Sequence, residues 1–309
     1  MDIYLPIAEI SQNVFVLLAA GGLVGFLSGA FGVGGGFLLT PLLLFLNIPA
    51  PVAVASGANQ VVGASVSGVI GHWKRGNVDV KMGLVLVAGG FLGSSLGVML
   101  FRWLRALGYI DVTIGVAYVL LLGTVGVFML IESAKILVAK RRGRSPRPAR
   151  PGSKRGAWVD TLPFKMRFRK SRLYISIIMP VAVGFVVGVL SAIMGVGGGF
   201  IMVPAMIYLL GMPTQVVVGT SLFQVIFVTA NVTMLQAVQN RTVDVVLAML
   251  LLIGGVAGAQ LGVRIGSRLA AERLRLFLAL LVLAVGLKVL YDLASVPEDL
   301  YSVAETSGL

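Results

Sequence analysis

The 309-residue sequence contains no cysteine and a single histidine, His72. Disulfides, thiol nucleophiles and thiolate metal sites are therefore excluded, and one imidazole cannot assemble a histidine-based metal centre. Charge is scarce too: 12% of residues are Asp, Glu, Lys or Arg, against about a quarter in soluble domains. No charged residue lies deep in any long apolar run, since Asp111, Glu132 and Lys288 sit near run ends. A buried cation path would want carboxylates, and a proton relay would want Asp, Glu or His chains. With no nucleophile–base pair and no ligand cluster, neither an enzyme nor a bound cofactor or metal is expected. The opening MDIYLPIAEI lacks a basic start and a small-residue cleavage site, so no signal peptide is expected to be removed.

What the chain does have is apolar length. Hydrophobic residues make up 58% of it, and runs near 20 residues recur, the length a helix needs to cross about 30 Å of hydrocarbon. Short alternating segments of the outer-membrane barrel kind are absent. The expected fold class is an all-α polytopic membrane protein.

The net charge of +13 is concentrated rather than spread. Fourteen of the 25 Lys and Arg residues fall within 135–172, together with four prolines and one acid, Asp160. This stretch reads as a flexible cytoplasmic linker that obeys the positive-inside rule and meets anionic lipid, not nucleic acid.

On either side of it the chain repeats itself. FGVGGGF at 31–37 returns as MGVGGGF at 194–200. With two single-residue slips, Gly21, Gly25, Ser28 and Pro41 match Gly184, Gly188, Ser191 and Pro204. Ser56 and Gln60 match Thr220 and Gln224, Asp79 matches Asp244, and Gly89, Gly93 and Gly97 match Gly254, Gly258 and Gly262. The expected organisation is a first transmembrane repeat at 1–138, a linker at 139–173, a second repeat at 174–292 and a tail at 293–309. Each half carries one run of only ten or eleven residues, 37–46 and 200–210, about 15 Å of helix and half a bilayer. Each such run is expected to return from mid-membrane as the second arm of a broken hairpin turning at GVGGG. Pro41 and Pro204 fall early in these arms, where proline is tolerated. A hairpin plus three crossings inverts the second half relative to the first. Both termini then lie outside, the linker lies in the cytoplasm, and the two glycine turns approach near the midplane, as in many secondary transporters.

The spaced glycines at 21/25, 89/93/97 and 254/258/262 suit close helix packing, inside the chain or in a homodimer equally. The GVGGG turns demand more. Consecutive glycines break a helix and leave amides unpaired beside the positive end of a short helix, a combination that attracts anions. Gly34, Gly35, Gly36 and Phe37, with Gly197, Gly198, Gly199 and Phe200, are the candidate cradle. Ser56, Asn59 and Gln60 in one half and Thr220, Ser221 and Gln224 in the other are the candidate side chains. Ser65, Ser67, Thr229 and Asn231 follow further along, where they can simply join helices. His72, beside Trp73, is an interface anchor or a proton-sensitive gate.

At SGAFGVGGGFLLTPLL with AVASGANQ, and SAIMGVGGGFIMVPAMI with VVVGTSLFQ, the chain resembles the sulfite exporter TauE/SafE family, over roughly 15–131 and 175–291. The glycine of GNVD at 76–79 is replaced in RTVD at 241–244, and the linker is unusually basic. The resemblance implies passage of sulfite, sulfonates or related sulfur anions. The residues themselves argue only for a small anion, carried by alternating access or passed through an anion channel.

Overall fold

The computed structural model describes residues 2–31, 36–141, 163–266 and 271–295. Ten α-helices and two small antiparallel hairpins account for most of them. In the first half the order is β1 (Asp2–Leu5), β2 (Ile10–Asn13), α1 (Val14–Phe31), α2 (Gly36–Phe45), α3 (Ala50–Lys74), α4 (Val80–Ala106) and α5 (Ile110–Arg141). The second half repeats it: β3 (Lys165–Phe168), β4 (Leu173–Ser176), α6 (Ile178–Met194), α7 (Gly199–Tyr208), α8 (Thr214–Leu235), α9 (Val245–Gly266) and α10 (Ala271–Ala294). A single π turn, Gln236–Asn240, extends α8. Six helices are long and apolar enough to cross a membrane, three from each half. The chain is a helical, multi-pass membrane protein.

Local signals explain the boundaries. Pro49 and Pro213 precede α3 and α8, where a missing N–H costs nothing because the first turn has no acceptor for it. Asp79 and Asp244 start α4 and α9, each accepting the N–H three residues on, from Met82 at 3.2 Å and Leu247 at 3.1 Å. Pro41 and Pro204 sit further into α2 and α7 than their first turns. Each removes the donor for the Phe four residues before it, yet the helix continues.

The halves interlock. α1 lies along α9, α4 along α6, α3 against α8 and α5 against α10, so the main partner of each long helix comes from the other half. Small residues permit this. A Cβ on Gly25 would collide with the Gly255 carbonyl, and one on Gly258 with that of Gly22; Gly93 against Phe185 and Gly188 against Gly90 repeat the arrangement at the α4–α6 seam. The spaced glycines of the sequence are thus seams within the chain.

The two hairpins were not anticipated. β3–β4 straddles the boundary drawn at residue 173 and precedes the second half as β1–β2 precedes the first. Both loops close on a left-handed residue, Glu9 (φ 56°) and Arg172 (φ 50°). Each loop grips the carboxylate that caps a helix of the opposite half. Ser171 donates to Asp79 Oδ2 through its N–H (3.0 Å) and its Oγ (2.6 Å). Ile7 N–H donates to Asp244 Oδ2 at 2.9 Å. Both aspartates are buried, so each carboxylate is repaid for its lost hydration by these charge-assisted bonds.

Candidate functional site

The second glycine turn can be followed residue by residue. α6 ends at Met194; Gly195 (φ 69°) caps it, and Gly197 (φ 72°) and Gly198 (φ 73°) complete the reversal into α7. Three left-handed residues within four positions explain the glycine run, because a side chain there is strained. The amides of Val196, Gly197, Gly198, Gly199 and Phe200 find no acceptor among the described residues. Amides left unpaired in this way at a helix start are of the kind that can receive an anion.

Of the first turn, Gly34 and Gly35 lie outside the described residues, whereas Gly36 and Phe37 begin α2. These two residues meet the second turn. Phe37 stacks on Phe200 with ring centroids 4.1 Å apart and planes 12° from parallel. A Cβ on Gly36 would lie 2.7 Å from the Val196 carbonyl oxygen. Val61 of α3 touches both turns, since its methyl groups crowd the Cβ positions of Gly36 and Gly197.

Gln60 and Gln224 occupy equivalent places, ten residues into α3 and α8 and about 15 Å along each axis. Both are 0% exposed. Neither Nε2 nor Oε1 of either has a hydrogen-bond partner among the described residues. Each amide leans on a glycine of the opposite half: Gln224 Nε2 lies 3.0 Å from the Cβ position of Gly90 in α4, and Gln60 Cδ lies 2.9 Å from that of Gly255 in α9. The hydroxyls of Ser65, Ser221 and Thr229 are likewise buried and unpaired. Thr229 Oγ1 comes 3.1 Å from the Cβ position of Gly197, which joins α8 to the turn.

Other expected residues are engaged elsewhere. Ser56 Oγ accepts the Asp244 N–H at 3.0 Å, and Thr220 Oγ1 accepts the Asp79 N–H at 2.9 Å. Their oxygens therefore join the halves at the start of α9 and α4. Asn59 is half-buried and forms no hydrogen bond with a described residue. Asn231 donates to Ser94 Oγ at 2.9 Å, a tie between α8 and α4. His72 stands about 18 Å along α3 from Gln60, beside Gly219, with Trp73 near Phe223 at 6.3 Å. The structure does not bring it to the turns.

Two contributors escaped the sequence reading. Tyr118 Oη (2.6 Å) and Thr40 Oγ1 (3.3 Å) both donate to the Met194 carbonyl, immediately before the second turn. Tyr118 is the only tyrosine inside a long apolar run of the first half, a signal that could have marked it. Among the described residues no three His, Asp or Glu side chains gather to hold a metal. The described polar groups at the second turn are neutral, backbone amides and the Thr229 hydroxyl, and Gln60 and Gln224 each precede in sequence a valine, Val61 or Val225, that lies against Gly197.

Comparison with known proteins agrees with this architecture. The model of the family described as Sulfite exporter TauE/SafE matches residues 17–289. The chain is 32% identical to a "Probable membrane transporter protein" of Xylella fastidiosa (strain 9a5c) over 288 residues, 91% of this chain and 96% of that one. It is 26% identical to "Probable membrane transporter protein YunE" of Bacillus subtilis (strain 168), covering 90% and 98% of the two chains. "Probable membrane transporter protein YjnA" of the same organism is 27% identical, over 89% and 98%. No solved structure gives a significant match.

Proposed function

The chain belongs to the sulfite exporter TauE/SafE family of membrane transporters, and we propose that it carries a small sulfur-containing anion through a site where its two glycine turns meet. One observation carries the proposal. Gln60 and Gln224, matched between the halves, are fully buried with every amide atom unpartnered among the described residues. A buried amide without a partner costs roughly 1–3 kcal/mol in proteins, and a cost incurred twice at equivalent positions is the mark of a ligand site. The free amides at 196–200 supply further donors. Sulfite or an organosulfonate is the substrate class that the family's description suggests.

The same reading includes two halves of inverted topology in the inner membrane, both termini outside, and the basic linker in the cytoplasm against anionic lipid. Alternating access would expose the neutral site to each side in turn. A site without a fixed cation also releases its anion readily. The second reading, an anion channel, is favoured by that same absence of a charged partner.

Flux into proteoliposomes tests the choice. Purified protein is challenged with sulfite, sulfoacetate, taurine, sulfate, acetate and chloride, with and without a proton gradient. Saturable movement of one sulfur anion supports the carrier. Unsaturable movement of many anions establishes the channel, and movement of none by folded protein refutes both.

A further inference from the structure

The unpaired polar atoms of the helices beside the second turn are not all donors. A carboxamide presents one carbonyl oxygen that only accepts and one NH₂ that only donates, whichever way the amide is turned. Gln60 and Gln224 therefore place two acceptor-only oxygens in a region where neither has a donor among the described residues. Their neighbours offer no remedy. Gln60 lies against the backbone of Gly255, whose amide is held within α9, and Gln224 lies against Gly90, whose amide is held within α4. A fully deprotonated oxyanion, all acceptors, would pair with the free amides of the turn and with the Gln NH₂ groups. It would leave both carbonyl oxygens as they are.

We infer that the ligand of this site brings a hydrogen-bond donor of its own, an O–H or N–H group next to or on its anionic head, and that Gln60 Oε1 or Gln224 Oε1 receives it. The inference rests on the reading of the turns as a small-anion site and narrows it to hydroxylated, aminated or protonated oxyanions. It also gives the buried amides a reason to be glutamine. Lys or Arg would bind the anion more strongly but could not accept from it, whereas a carboxamide does both while remaining neutral. Gly255 belongs to the same device, since a methyl group there would push the Gln60 amide out of its seat; at Gly90 the methyl group would meet Val228 first and Gln224 Nε2 at 3.0 Å.

Matched ligands that differ by one hydroxyl provide the test. Binding of isethionate and of ethanesulfonate is measured on the intact protein in detergent, and the glycolate–acetate pair is run beside it. A site with unpaired acceptors should prefer the hydroxylated member of a pair by roughly tenfold or more, as expected for a buried acceptor left without a donor. In Gln60→Met and Gln224→Met the preference should disappear in at least one variant. Equal affinity within each pair would overturn the donor inference while leaving an anion site in place, with water on the carbonyl oxygens. Preference that persists in both variants would remove the donor's partner from these amides and overturn the assignment. Failure of all four ligands to bind folded protein would overturn the anion-site reading, and this inference with it.

Discussion

Replacing Gln60 and Gln224 together by Met should make the protein more stable and less active. Met nearly conserves the volume of Gln, so no cavity is created. The structure gives each amide no partner among the described residues and no solvent exposure. Removing one such buried amide should recover about 1–3 kcal/mol, and removing the pair about twice that if the sites are independent. For a chain of this length each kcal/mol raises the melting temperature by about 2–4 °C. The variant without ligand should thus melt several degrees above the parent in a thermal scan in detergent. Substrate reverses the order. At a concentration of about 100 Kd it stabilises the parent by about 2.7 kcal/mol and leaves the variant nearly unmoved, while initial flux in proteoliposomes falls at least tenfold. A variant that transports at the parental rate would refute the reasoning, because the amides would then be structural. A variant that melts well below the parent would refute it too, since the amides would have to be hydrogen-bonded.

Other expectations follow from single contacts. Gly198→Leu forces a side chain onto a residue at φ 73° and against Val187, and should abolish flux while membrane-inserted protein persists on a fluorescence size-exclusion trace. Gly255→Ala should raise KM with little change in expression, because the added methyl group collides with the Gln60 side chain rather than with backbone. Tyr118→Phe removes a 2.6 Å bond to the Met194 carbonyl and should cost about 1 kcal/mol of thermal stability. Asp79→Asn and Asp244→Asn each weaken paired hydrogen bonds at a buried junction. Both should lower the melting temperature, by about 1–3 kcal/mol equivalent, and to a similar extent.

Much of this was legible before any coordinates, and the boundary of legibility has a physical cause. Helix positions followed from apolar run lengths, which report the thickness of the bilayer. The second glycine turn followed from composition, because consecutive glycines break a helix inside an apolar run. Gln60 and Gln224 stood out as amides in an apolar setting. Ser56 and Thr220 stood out equally, yet their oxygens hold the Asp244 and Asp79 amides. One polar residue per helical turn looks the same in sequence whether it meets a ligand or a backbone. The hairpins at 2–13 and 165–176 were missed because eight paired residues in each carry too little periodicity, and the second hides inside a basic stretch that reads as linker. Tyr118 was missed because its partner is a carbonyl on α6, 76 residues away.

The duplication itself contains information that a residue-by-residue reading leaves unused. When two halves of one chain pack as a self-complementary pair, a contact from position i to position j of the other half implies the reciprocal contact, as in a two-fold dimer. Asp79 with Thr220 and Ser171 therefore implies Asp244 with Ser56 and a residue of the first hairpin loop, which is Ile7. The same exchange relates Gly90–Gln224 to Gly255–Gln60, and Phe37 stacks on its own counterpart Phe200. Only pairs that lie on the exchange axis can touch their own equivalents, so the Phe37–Phe200 stack marks where that axis passes, beside the glycine turns. A ligand at the proposed site would meet both halves in nearly the same way. Where the two-fold exchange fails, the halves differ: Thr40, which bonds Met194, faces the alignment position of Val203, which has no hydroxyl. The second turn is thus preceded by a bond from the first half that the second half has no side chain to return. Equal stability loss in Asp79→Asn and Asp244→Asn, but unequal effects of Thr40→Val and Val203→Thr on flux, would separate what the halves share from what distinguishes them.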